Sequence, residues 1–160
     1  MPEKIKVALV GLGNCFSGLI QGIEYYSKNP SQKVTGIIHE NLRDYTIHDI
    51  EFVAGFDVGA NKVGKPINDA IYELPNMVNW IDKNDMPKAN GNVYESPALD
   101  GVGIWVENKV KPIESGKSES ELREEIIKIL KETGVEIIVS YLPVGSEKAT
   151  QFWAQICLDT

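Results

Sequence analysis

Apolar positions along the chain alternate between two spacings. From Ile5 to Val10 the run Ile-Lys-Val-Ala-Leu-Val is short, β-rich and apolar, and it stops at Gly11-Leu12-Gly13, as a buried parallel strand does. Phe16, Leu19, Ile20 and Ile23 then recur at i, i+3, i+4 and i+7. This predicts a helix with one apolar face and with Gln21 and Glu24 turned away from it. Residues 27–49 carry Asn, Pro, Ser, Gln, Lys and Gly with little period, and they read as a loop inserted before the second strand. That strand is predicted over 51–57 and ends in Asp57.

Further along, Pro66 can open a helix in which Ile67, Ala70, Ile71 and Leu74 keep helical spacing until Pro75 and Asn76 end it. Residues 76–116 are rich in Pro and Gly and leave two readings open: loops, or strands that include Tyr94, Ile104, Trp105 and Val106. The clearest helix starts at Ser118, with Glu121 completing a Ser-x-x-Glu capping box. Leu122, Ile126, Ile129 and Leu130 make its stripe, Glu124 precedes Lys128 by one turn, Lys131 sits in the last turn and Gly134 stops it. A buried strand over 135–141 follows, then Ser146 as the cap of a helix with Ala149, Phe152, Trp153 and Ile156 on its apolar side. Strands alternating with helices imply right-handed crossovers: an α/β, Rossmann-type, doubly wound parallel sheet forming one unit over 1–160.

Composition narrows the classes. A chain of 160 residues with 42% apolar content is long enough to bury a core of its own. Sixteen Lys and Arg against 23 Asp and Glu leave a net charge of −7, so nothing draws the chain as a whole to nucleic acid or to anionic lipid. No apolar run approaches the roughly 20 residues of a membrane span, and Met-Pro-Glu-Lys-Ile-Lys leads into a strand without a signal-peptide core, which predicts a cytoplasmic protein. Cys15 and Cys157 fall in separate predicted helices and read as free thiols.

Chemistry concentrates at the first turn. Gly11 permits a tight turn, Gly13 lets a diphosphate approach the backbone, and the helix beginning near Asn14 and Cys15 offers free N–H groups and a positive dipole end. Phe16 occupies the place of the usual third glycine, so the dinucleotide fingerprint is partly met; the alternative is a plain strand-to-helix turn. Asp57 can accept both adenosine-ribose hydroxyls and repel a 2′-phosphate, favouring NAD over NADP, provided that 27–49 is an insertion; otherwise it is a loop acid or a cap. Ser140, Tyr141, Leu142 and Pro143 end another strand and are placed to border the nicotinamide half, while Ser146 either donates a hydrogen bond to a phosphate or ribose or simply caps the next helix. His39 and His48 lie beside Glu40 and Asp49 without the spacing of a metal site. Trp80, Trp105 and Trp153 have no interleaved basic cluster and read as core or interface residues.

Several ordered blocks are more specific than a generic Rossmann unit. They are Val-Gly-Leu-Gly-Asn-Cys at 10–15, Gln-Gly-Ile-Glu-Tyr-Tyr at 21–26, Phe-Val-Ala-Gly-Phe-Asp-Val at 52–58, Lys-Val-Gly at 62–64, Leu-Asp-Gly-Val-Gly at 99–103 and Ser-Tyr-Leu-Pro-Val-Gly-Ser-Glu at 140–147. Together they resemble the archaeal and actinobacterial myo-inositol-phosphate synthases over nearly the whole chain. The resemblance implies an inositol-3-phosphate synthase, an isomerase that cyclises glucose 6-phosphate to 1D-myo-inositol 3-phosphate for inositol and phospholipid synthesis. It also implies NAD as a cofactor oxidised and reset in each turnover, and a homotetramer for the full-length family. That family's chain is more than twice as long, so the resemblance implies the N-terminal, NAD-binding portion, with the catalytic residues beyond Thr160 and an isolated chain that is inactive. The alternatives are the cofactor domain of an NAD-dependent dehydrogenase and a non-catalytic nucleotide-binding module.

Overall fold

A computed structural model describes residues 3–29, 38–103 and 107–160. Strand β1 (Ile5–Val10) leads into helix α1 (Asn14–Lys28), β2 (Ile50–Asp57), a one-turn α2 (Ile67–Ala70), β3 (Asn92–Glu95), α3 (Glu119–Thr133), β4 (Ile137–Ser140) and α4 (Glu147–Asp159). The four strands pair in parallel in the order β3-β2-β1-β4. Ile5 lies against Ile50 and Val10 against Phe56, while Val7 to Val10 face Ile137 to Ser140 on the other side of β1. The chain therefore builds outward from β1 to β3 and then returns to the far side of β1. This reversal opens a crevice at the carboxyl ends of β1 and β4, where open α/β sheets hold ligands.

Alternation along β1 divides the interior into two layers. Val7 and Leu9 point toward α1 and the α2 turn, where Leu12, Phe16, Ile20, Ile67, Ile71 and Val93 close the first core. Ala8 and Val10 point the other way, onto Ile126 and Leu130 of α3 and Phe152, Trp153 and Ile156 of α4. Trp153 packs against Phe56 with ring centroids 4.9 Å apart. Each fully buried large side chain contributes about 1.5–3 kcal/mol. Ser118 and Glu121 form the capping box at the start of α3, and Gly134 ends it in the left-handed conformation.

Several expectations change in detail. The helix after Pro66 is a single turn, and Leu74 lies exposed beyond it. The predicted loop over 27–49 begins inside α1, which runs to Lys28, and closes with a 3-10 turn at Ile47–Asp49 capped by Thr46. Tyr94 belongs to β3, whereas Ile104, Trp105 and Val106 lie outside the described residues. Strand β4 is shorter than 135–141 and half-exposed rather than buried, because it is the edge of the sheet among the described strands. Both cysteines are free and exposed.

Gln21 departs furthest from its expected place. Rather than facing solvent it is fully buried, while Leu19 is exposed. Its Nε2 donates to Ser17 Oγ (2.9 Å) and to the Val78 carbonyl (3.0 Å), and its Oε1 accepts from the amides of Trp80 (2.8 Å) and Ile81 (3.2 Å). One amide side chain thus takes the place of a strand partner for a loop about 60 residues away, satisfying donors that burial would otherwise strand. Gln21→Leu should lower unfolding free energy by about 2–3 kcal/mol. Leu19→Ala should cost less than about 1 kcal/mol. Urea titration of both variants checks this, and equal losses would contradict it.

Candidate functional site

Beyond the ends of β1, β2 and β4 lies a cleft of about 220 Å³. Its floor is the turn after β1. Gly11 has φ +81°, and a Cβ there would lie 3.2 Å from the Tyr141 carbonyl oxygen, so both conformation and space call for glycine. Gly13 stands at the start of α1 with nothing within 4 Å of where a Cβ would be, so its missing side chain leaves open space. Phe16 resolves the absent third glycine: its ring is fully buried and packs on Tyr141 at 4.4 Å between centroids, outside the turn.

Three side chains hold the peptide groups of Leu12 from beneath. Asp57 Oδ2 accepts the Leu12 N–H at 2.8 Å, and Oδ1 accepts that of Gly59 at 2.8 Å. The Leu12 carbonyl accepts from Lys62 Nζ at 2.7 Å and Asn76 Nδ2 at 2.9 Å. Lys62 Nζ lies 3.6 Å from Asp57 Oδ2 and 3.4 Å from Asn76 Oδ1. Asp57, Lys62 and Asn76 are all buried. Two opposite charges are tolerated there because each is hydrogen-bonded and faces the other. Asn14 Oδ1 accepts from the Met77 amide at 2.7 Å, tying the start of α1 to the loop beyond Asn76.

The helix termini around the sheet are treated differently. At α3 the Ser118 amide and hydroxyl hold Glu121 below the usual carboxylate range. At α4 the expected cap, Ser146, donates its hydroxyl to the Pro143 carbonyl at 2.7 Å instead. The acceptor comes from Asp100, whose carboxylate takes the amides of Lys148 (2.8 Å) and Ala149 (2.9 Å). The N-terminus of α1, directed at the cleft, has no side-chain cap. Its first N–H groups have no partner within the helix and carry its positive dipole end.

Of the residues singled out in the sequence, Gly11, Gly13, Asn14, Asp57, Tyr141, Leu142 and Pro143 line this cleft. Cys15, exposed in the first turn of α1, and Ser140, at the end of β4, border it without lining it. Lys62, Asn76, Ser96, Gly101 and Val102 are among the other lining residues, and motif reading assigns them no place in the site. Lys62 and Leu99 to Gly103 stood within blocks of the family resemblance, and that was their only signal. Among the described residues, no three His, Cys, Asp or Glu gather as metal ligands, and no helix is long and apolar enough to cross a membrane.

No protein-family model matches the chain. The inositol-3-phosphate synthase of Mycolicibacterium smegmatis is 40% identical over 157 residues, covering 98% of this chain and 41% of its own length. Over the stretch it spans, the chain is a homologue of inositol-3-phosphate synthases. The Corynebacterium glutamicum synthase is 41% identical over 161 residues, again covering 97% of this chain and 41% of the relative. The chain thus spans about two-fifths of the length of the curated synthases it matches. Among solved structures, Ari2 superposes with a TM-score of 0.77 at 27% identity, over 98% of this chain and 44% of that one. A myo-inositol-1-phosphate synthase-related protein from Thermotoga maritima shares the fold, with a TM-score of 0.71 at 19% identity over 97% and 44% of the two chains.

Two measurements probe how the site is held. Lys62→Met leaves Asp57 buried and unpaired and should cost about 3 kcal/mol, part of which Asp57→Asn in the same chain should restore. Additive losses in denaturant titrations would show that the two charges are not coupled. The Ala149 and Lys148 amides hold the Asp100 carboxyl below its ordinary 3.8. A lowered folded value means that this contribution to stability is complete above the ordinary value and is lost as the pH falls through the lowered one. Denaturant midpoints followed from pH 6 to about pH 2 should therefore fall less steeply in Asp100→Asn than in the parent.

Proposed function

We propose that the cleft binds NAD and that the chain is the coenzyme-holding part of an inositol-3-phosphate synthase acting on glucose 6-phosphate. The observation that carries this is the uncapped N-terminus of α1 opening on the space left by Gly13. Helix N–H groups at such an end attract a diphosphate without needing a basic side chain. A Cβ at Gly13 would project into the space the diphosphate needs, so the residues present fit the group.

In this reading, the amides at the start of α1 hold the diphosphate and Asp57 holds the adenosine ribose. A carboxylate has about four acceptor sites, and the Leu12 and Gly59 amides take one on each oxygen, leaving capacity for ribose hydroxyls. Tyr141, Leu142 and Pro143 border the other half of the coenzyme. Bound NAD supplies a hydride acceptor that is restored within each turnover, consistent with an isomerisation. Lys62 is not poised to act on substrate: its ammonium is committed to Leu12, Asn76 and Asp57. Acid, base and oxyanion groups for the sugar phosphate are therefore assigned to the length of the synthases that this chain does not span.

Gly13→Ala is the direct test. Nothing in the fold opposes a methyl group there, so stability should change by less than about 1 kcal/mol. NAD affinity, measured by calorimetry, should fall about tenfold or more, which is 1.4 kcal/mol or more. An unaltered affinity, or a parent chain that takes up no NAD, would refute the assignment.

A further inference from the structure

Residues 96–103 cross the mouth of the cleft. They leave β3 at one edge of the sheet, where the Ser96 amide donates to the Asp57 carbonyl at 3.0 Å, and they arrive beside the segment that follows β4 at the other edge. There the backbone lies flush against its neighbours. A Cβ at Gly101 would sit 3.1 Å from the Ala98 carbonyl oxygen and 3.5 Å from Ala149 Cβ, and one at Gly103 would sit 3.1 Å from Pro143 Cβ. Gly101 and Val102 face the same cleft as Leu142 and Pro143.

This crossing is held in a conformation the chain does not favour by itself. Leu99 has φ +44°, in the region that side chains with a Cβ disfavour, and the Gly101 amide closes a tight turn onto the Ala98 carbonyl at 2.7 Å. Between them Asp100 fastens the turn to the first amides of α4. The helix is free to accept this partner because the Ser146 hydroxyl is turned to Pro143. Capping and shaping the wall are thus performed by one carboxylate.

We propose that Asp100 is a positioning residue for coenzyme binding: by pinning the 98–103 turn to α4 it sets the wall that the β4-side half of the dinucleotide packs against. The inference rests on the NAD reading of the cleft. It separates the two halves of the ligand, since the AMP half, held by Asp57 and the start of α1, lies on the far side of β1 from that wall.

Calorimetric titrations of the full 160-residue chain with NAD and with AMP test this. Asp100→Ala should weaken NAD about tenfold and leave AMP within about twofold, in line with the loss of one helix cap. Asp100→Asn, whose amide oxygen can still accept an α4 N–H, should recover most of the NAD affinity. If Asp100→Ala fails to fold, Gly101→Ala leaves the cap in place, crowds the Ala98 carbonyl and should give the same selective loss. Equal weakening of NAD and AMP would make Asp100 a stabilising cap only, and unchanged NAD affinity would leave the wall without a role; either result overturns the inference. A parent chain that binds neither ligand overturns the coenzyme reading and this inference with it, whereas a parent that binds both and variants that do not discriminate overturn the inference alone.

Discussion

The Leu12 peptide clamp is the constraint on which the rest of the structure depends. A turn residue ordinarily turns its amide and carbonyl to water, but here both are captured by side chains 45 to 64 positions away. The dependence runs both ways. Asp57 and Lys62 are charges buried at the end of β2, and they are tolerated because Leu12 and Asn76 complete their hydrogen bonds. The turn in turn keeps its shape because β1 and β2 pair in parallel and deliver Asp57 beneath it, with the Gly11 amide bonded to the Phe56 carbonyl at 2.9 Å. Neither half is satisfied before the other is in place, so the cleft floor forms with the sheet.

Such a floor reconciles an acidic protein with the anionic ligand proposed for it. The net charge of −7 repels a diphosphate at long range, yet salt screens that repulsion beyond about 8 Å. Close in, what matters is the local field. Carboxylates answer the positive ends of α3 and α4, Glu121 from the helix itself and Asp100 from the turn packed against it. At α1 no carboxylate or hydroxyl does so. Asp57 stands nearby, but its charge faces Lys62, so the start of α1 retains its attraction for an anion.

Much of the architecture was legible in the sequence because it rests on local signals. The apolar run of β1, the glycine turn, the capping box of α3 and the apolar sides of α3 and α4 all appear where their patterns put them. What the pattern missed was polar and long-range. Periodicity assigns a glutamine to the outside, and nothing near Gln21 announces that Trp80 and Ile81 need an acceptor. Ser146 sits where a cap belongs, and only tertiary structure reveals that Asp100 does the capping. The segment over 76–116 resisted parsing for the same reason: much of it is placed by single hydrogen bonds, such as those of Asn76 and Asp100, rather than by a repeating apolar face.

That contrast bears on the proposed role of the cleft. Ionisable groups that work on a substrate need to be free to change partner or proton, whereas Asp57 and Lys62 are tied to backbone groups and to each other. In the proposed role these committed groups hold a ligand rather than act on it. On the β4 side Tyr141, which lines the cleft just beyond the strand, is 48% exposed. The half of a dinucleotide lying there would have the Asp100 turn on one side and open space on the other. A rigid adenosine half beside a nicotinamide half left accessible is the division that a redox coenzyme requires, because only the second half must meet a substrate.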